Sequence, residues 1–140
     1  MGTINPMRFV QAAPGIINGV LQATGSSVPL LGIAWESVTA MMGTYAQTTF
    51  TPQGYPAAAS GDKLRLYEQE GMETMVIVGS GVTIVPNQFL TSDGSGNAVG
   101  VNPLTIAAGA YWIGGEAIEG GVAGDPIRVA VRRFCYTKPA

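Results

Sequence analysis

One pattern occurs twice in this chain and narrows its possible folds more than any other feature. Gly32, Ala34 and Glu36 recur as Gly115, Ala117 and Glu119 at an offset of 83. Gly61, Asp62, Leu64, Arg65 and Leu66 recur as Gly124, Asp125, Ile127, Arg128 and Val129 at an offset of 63. In the second copy only Gly120 to Ala123 separate the two halves, whereas Ser37 to Ser60 intervene in the first, so the first copy carries an insertion of about one hairpin. Leu64 and Leu66, like Ile127, Val129 and Val131, alternate with Lys63, Arg65, Arg128, Ala130 and Arg132, the period-2 pattern of a half-buried strand. Two related strand-turn-strand units predict one small all-β body, a barrel or a sandwich.

The remaining chain divides around that repeat. Residues 1–30 show neither a 3.6-residue period nor clean alternation, and Pro6, Pro14 and Pro29 favour extended backbone. They are expected to form an extended N-terminal arm with a short strand at Arg8 to Gln11. Fully stretched, about 30 residues at roughly 3.3 Å each reach on the order of 100 Å. Such an arm has little of its own to pack on, so it is expected to order only against a neighbouring molecule; the alternative is that it edges the domain's own sheet. Residues 31–135 are expected to be the β domain, with the insertion at about 38–60, and residues 136–140 a short tail. Leu31 to Ser37 reads as a strand with Leu31, Ile33 and Trp35 on one face. From Gly61 onward, short strands are expected at Lys63–Glu68, Thr74–Val78, Val82–Val85, Gln88–Thr91, Ala98–Val101, Ala110–Ile113, Glu116–Glu119 and Ile127–Phe134. Glu70-Gly71, Pro86-Asn87, Asp93-Gly94 and Gly124-Asp125 are among the turns that separate them. A single helical turn at Pro103 to Ala107 or Val38 to Met42 is the most helix expected.

Composition excludes much chemistry. The chain of 140 residues has no histidine and one cysteine, which rules out internal disulfides, His-based triads, His metal sites and four-cysteine zinc sites. No basic run exceeds Arg132-Arg133 and the formal net charge is −2, so nucleic acid is not an expected partner. No stretch of about 18 apolar residues supports a membrane span, and Gln11, Pro14 and Asn18 interrupt any signal-peptide core; the protein is expected to be soluble and intracellular when made. Charge is unevenly placed, because only Arg8 and Glu36 precede Asp62. That uncharged half is expected to be buried in the fold or covered by another protein.

No catalytic, metal or cofactor residue is expected. Glu116 and Glu119 lie three apart on a strand, hence on opposite faces. Asp62 and Asp125 each follow a glycine where a carboxylate accepts turn amides, and the glycine clusters fit neither the dinucleotide fingerprint nor the P-loop. Cys135 is expected to be buried or inert, since no histidine can act as its base. Arg128, Arg132, Arg133 and Lys138 form either a solvated strand face or a pairing surface for acidic groups on a neighbouring subunit. The insertion from Met41 to Ser60, with Tyr45, Phe50 and Tyr55, reads equally as contact surface or as an ordinary hairpin over the core.

The run GVTIVPNQFLTSDGSGNAVGV, followed by GEAIEGGVAGDPIRVAV, resembles the capsid decoration proteins of tailed bacteriophages, also called cement or head-stabilisation proteins. The resemblance covers roughly Gly79 to Val131, and Gly32 to Leu66 through the repeat. The family's motifs are a strand, a proline or glycine turn, a leucine-threonine strand, a DG hairpin tip, a glycine-alanine strand and an AGD-x-(I/V)-x-V strand. The long insertion, Pro126 directly after Asp125, and the segment from Phe134 depart from them. The resemblance implies a non-enzymatic virion protein, made in the host cytoplasm, that sits on the outer capsid surface, binds the major capsid protein and associates with itself as a homotrimer. On that reading Met7, Phe9, Val10, Ile16, Ile17, Val20 and Leu21 are arm contacts, Tyr45, Phe50 and Tyr55 contact a subunit or the shell, and Arg132 and Arg133 lie at an interface. The competing class is a carbohydrate-binding β module on a virion or cell surface, stacking sugars on Trp112, Tyr111 or Trp35. A trimeric nucleotide hydrolase is disfavoured by the absence of metal-ligand and phosphate motifs.

Overall fold

A computed structural model describes residues 4–16, 19–34 and 66–140, and these residues are all β, with no helix among them. The strands are β1 (Phe9–Ala12), β2 (Val20–Gln22), β3 (Leu30–Ala34), β4 (Leu66–Tyr67), β5 (Glu73–Ile77), β6 (Thr83–Ile84), β7 (Phe89–Ser92), β8 (Ala98–Val101), β9 (Gly109–Ala117), β10 (Gly121–Val122) and β11 (Pro126–Lys138). One sheet has the order β2-β1-β3-β4, a second β5-β11-β9-β7-β8, and β6 pairs with β10. The arrangement is sandwich-like. A lone bridge, Val78 to Ala98, joins the ends of the larger sheet's outer strands, but no closed barrel forms among the described residues.

The repeat seen in the sequence is a repeat of hydrogen-bond register. Ala34 lies opposite Leu66 and Ile33 opposite Tyr67; at the same offsets of 83 and 63, Ala117 lies opposite Val129 and Glu116 opposite Ala130. The duplication also extends to strands the sequence reading did not relate. Phe9 faces Ile33 and Val10 faces Gly32, as Phe89 faces Glu116 and Leu90 faces Gly115. Val10, Gln11 and Ala12 pair with Gln22, Leu21 and Val20; Leu90, Thr91 and Ser92 pair in the same sense with Gly100, Val99 and Ala98. Even the entry turns match. Pro6 and Pro86 precede Met7 (φ 56°) and Asn87 (φ 69°), left-handed residues whose amides donate to Ala34 O and Ala117 O. Proline presets the first turn dihedral, and the following residue takes the positive φ that such a turn requires. The body is therefore two copies of one four-strand unit, β2-β1-β3-β4 and β8-β7-β9-β11, with β5 added beside β11.

The copies bury different faces. The main cluster joins Phe9, Leu30 and Ile33 of the first copy to Ile84, Leu90, Ala117, Val129 and Val131 of the second, with Val76, Val78 and Ile127. Ile4, Val10 and Ala34, the first-copy equivalents of Ile84, Leu90 and Ala117, form a separate cluster with Val20 and Leu66 packed on it. Equivalent faces thus do not meet. Close approach between the copies depends on Gly114, where a Cβ would come within 2.6 Å of the Phe9 ring and 2.8 Å of Leu30.

Residues 4–16 and 19–34 fold into this body instead of extending from it as the expected arm. β1 lies between β2 and β3, Phe9 and Val10 are wholly buried, and Phe9 N–H donates to Gly96 O at 2.8 Å. Physically, the central strand of a sheet with apolar residues on both faces has no free surface to offer a neighbour. The absence of clean alternation in Phe9-Val10-Gln11 reflects burial on both sides, which a period-2 criterion reads as irregular. The expected tail is likewise strand, since β11 runs to Lys138. The expected strand Ala110–Ile113 is part of β9, as are Glu116 and Ala117 of the expected Glu116–Glu119, whereas Ile118 and Glu119 lie beyond its end; β2 and β10 are additional strands. The insertion at about 38–60 lies outside the described residues.

Candidate functional site

Among the described residues, those proposed as contacts from the sequence do not assemble into one surface. Met7, Phe9 and Val10 are buried core residues, a correction to their expected role as arm contacts. Val20 and Leu21 are half-buried on β2, and Ile16 is exposed in the β1–β2 connection. Ile17, Tyr45, Phe50 and Tyr55 lie outside the described residues, as do Trp35 and Asp62. Arg132 is held by Glu70 and Glu116 at 3.8 Å each, and Arg133 donates from Nε to Leu30 O at 3.3 Å and from Nη1 to Glu68 O at 3.4 Å. These arginines brace the sheet against the Glu68–Glu70 turn. Such exposed pairs contribute about 0 to 1 kcal/mol each. Glu119 engages a different arginine, Arg128, at 3.6 Å, and the Asp125 carboxylate accepts the Val122 amide at 3.0 Å, the turn role expected of it. Cys135, expected to be buried or inert, is exposed on β11, because β11 has left the core by that point and β9 alone accompanies it.

Two features stand out in their place. The first is the far end of the β9–β11 ribbon, where residues 109–112 pair with residues 135–138 beyond the part shared with the first copy. Beside it, the connection at residues 102–108 holds Leu104 88% exposed. Asn102 Oδ1 accepts the Leu104 amide at 3.0 Å, Lys138 Nζ donates to Ile106 O at 2.7 Å, and Tyr111 Oη donates to Ala107 O at 2.9 Å. A large apolar side chain is thereby presented to solvent on a loop braced at three points. Tyr111 and Trp112 are each half-buried, and the Trp112 amide is tied to Ser26 O at 2.9 Å.

The second is a depression of about 440 Å³ at the seam between the copies, lined by Arg8, Ile77, Val78, Ser80, Asn97, Ala123 and Gly124. Arg8 comes from the strand entry of the first copy, and Asn97 from the β7–β8 turn of the second. That turn is built on Asp93, whose Oδ1 accepts the amides of Ser95 and Asn97 at 2.8 and 2.9 Å. Burial pushes the Arg8 guanidinium below its usual pKa range, while the neighbouring Asp93 carboxylate acts in the opposite direction. Arg8 donates from Nη1 to Pro6 O at 3.1 Å, and no ion pair within 4 Å includes it among the described residues. Asn97 Oδ1 is buried and accepts no hydrogen bond. The sequence offered one signal toward this site: Arg8 is one of two charges before Asp62.

Among the described residues no group of His, Cys, Asp or Glu is placed to hold a metal ion, and no helix is long and apolar enough to cross a membrane. In comparison with known proteins, no family model and no curated protein matches the chain.

Proposed function

We propose that this is a structural virion protein, not an enzyme, that binds the outer surface of an assembled phage capsid and clamps neighbouring major capsid protein subunits. The observation that carries the reading is the order of elements from Thr83 to Val131. Strand β6, the Pro86-Asn87 turn, the Leu90-Thr91 strand, the Asp93-Gly94 hairpin tip, the Ala98–Val101 strand and, after β9 and β10, the Ala123-Gly124-Asp125 turn and β11 occur in the order of the motifs of the decoration proteins that this sequence resembles. Met7, Phe9 and Val10, assigned to an arm, are in the core, so they are not the means of attachment. We assign shell contact to the braced Leu104 loop and the adjoining ribbon end, where the most exposed large apolar side chain among the described residues lies. Burying apolar surface of this kind contributes about 25 cal/mol per Å², repeated at every position on the shell. Repetition lets modest contacts resist rupture together.

The test adds the full chain to purified, undecorated heads of the phage that encodes it and measures co-sedimentation and the temperature at which the heads rupture. The expected result is saturable binding and a raised rupture temperature, both lost in Leu104→Asp while the variant's own melting is unchanged. Failure of the wild-type chain to bind would overturn the assignment; wild-type binding that survives Leu104→Asp would overturn the contact surface alone.

A further inference from the structure

We infer that the seam depression at Arg8 is a recognition site for a carboxylate carried on an acidic segment of a partner protein. Three observations converge on it. Arg8 is a guanidinium drawn partly out of water, with one side-chain hydrogen bond and no ion pair within 4 Å among the described residues. A guanidinium presents five donors in a planar fork matched to a carboxylate, so most of its bonding capacity is uncommitted. The surrounding wall is also incomplete, since Asn97 Oδ1 is buried without a partner; this acceptor calls for a donor, which a carboxylate lacks and a peptide N–H supplies. Finally, the wall combines Ile77, Val78 and Ala123 with Ser80 and Gly124. It offers apolar contact for a side chain's methylenes next to polar contact for its head and the peptide behind it.

The ligand's charge is limited by Asp93. That carboxylate acts on Arg8 and repels any anion bound beside it, a doubly charged phosphate about twice as strongly as a single carboxylate. A protein-borne Asp or Glu also brings peptide N–H and C=O groups that a free carboxylate lacks. The site is independent of the capsid assignment, because it lies at the seam and uses neither Leu104 nor the ribbon.

The experiment follows the Arg8 Nε–H and the backbone amides of Ser80, Asn97 and Gly124 by NMR in the full chain. The probes are acetyl-Asp-Gly-amide, acetyl-Asn-Gly-amide, sodium acetate and inorganic phosphate. The expected result is saturable shifts with the aspartyl probe, none with the asparaginyl probe, and weaker binding of acetate and phosphate. Charge-assisted hydrogen bonds contribute about 1.5 to 3 kcal/mol, so Arg8→Gln should weaken the aspartyl probe about tenfold or more. Ser80 is exposed in a turn, so Ser80→Leu narrows the mouth without touching the core and should also weaken binding, which keeps the test open if Arg8→Gln fails to fold. Absence of saturable shifts, equal binding of the asparaginyl probe, or binding undiminished in Ser80→Leu would overturn the site. Acetate or phosphate binding as tightly as the aspartyl probe would overturn the protein-borne ligand.

Discussion

The two copies of the four-strand unit share the registers of their ladders yet expose opposite surfaces. In the first, Phe9 and Ile33 enter the main core, whereas their equivalents in the second, Phe89 and Glu116, lie half-buried, with Phe89 edge-on to Phe134 at 5.1 Å. In the second, Leu90, Ala117 and Val129 fill the main core, whereas Val10 and Ala34 in the first belong to a smaller cluster on the other face. Backbone pairing and burial are therefore set by separate features. The turns, Pro6-Met7 and Pro86-Asn87, place both copies in the same register. A few side chains then decide which face meets the neighbouring unit. A one-residue slip would have exchanged the faces within a copy, but no slip occurs; Glu116 stands where the first copy has Ile33, and Ala130 where it has Tyr67. The first copy packs its Phe9 face on the second copy's core and its Val10 face in the smaller cluster, while the face of the second copy that corresponds to Phe9's carries the Arg132–Glu116 pair.

Reciprocal substitutions at equivalent positions test this comparison most severely. Ile33→Glu buries an unpaired carboxylate in a site with no exposure and should cost more than about 3 kcal/mol of unfolding free energy by urea titration. Glu116→Ile loses one exposed ion pair and should change stability by less than about 1 kcal/mol. Equal costs would mean that the two faces are not distinguished as described. Next in size, Phe9→Ala should cost about 3 to 5 kcal/mol. Phe89→Ala loses partial burial and one edge-to-face ring contact, and should cost roughly 1 to 2 kcal/mol. The left-handed turn residues offer a smaller effect: Asn87→Ala should cost about 1 kcal/mol, since alanine tolerates a positive φ less well than asparagine. Last, Cys135 is exposed, so a thiol reagent should modify it in the native protein without denaturant and without loss of fold. Protection until the chain unfolds would place the end of the ribbon in the interior.

The strands that alternate clearly were legible in the sequence because each has one wet face. Ile127, Val129 and Val131 against Arg128 and Arg132 is such a strand, and the two halves of the repeat that contains it pair in the structure, Ala117 with Val129 and Ala34 with Leu66. The opening segment was misread for the opposite reason. Phe9, Val10 and Gln11 are all buried, so no alternation marks them, and prolines that punctuate turns inside a domain look like those of an extended arm. A further signal was present: Ile4, Pro6 and Phe9 recur as Ile84, Pro86 and Phe89 at an offset of 80, and would have assigned the opening residues to the first copy. β2 and β10 are three and two residues long, too short for periodicity to declare. The seam depression was invisible in the sequence because Arg8 and Asn97 are brought together only by the stacking of the copies.

Native-state hydrogen exchange on the full chain tests the equivalence of the copies most directly. The amides of Met7, Phe9 and Ala34 in the first copy bond to Ala34 O, Gly96 O and Arg8 O, and those of Asn87 and Ala117 in the second to Ala117 O and Gln88 O. If the opening residues are integral to the body, the Phe9 and Ala34 amides exchange only through global unfolding, with the same opening free energy as Ala117. Exchange of Phe9 and Ala34 at the rate of a free chain, with Ala117 still protected, would contradict the account and return the opening segment to the status of an arm.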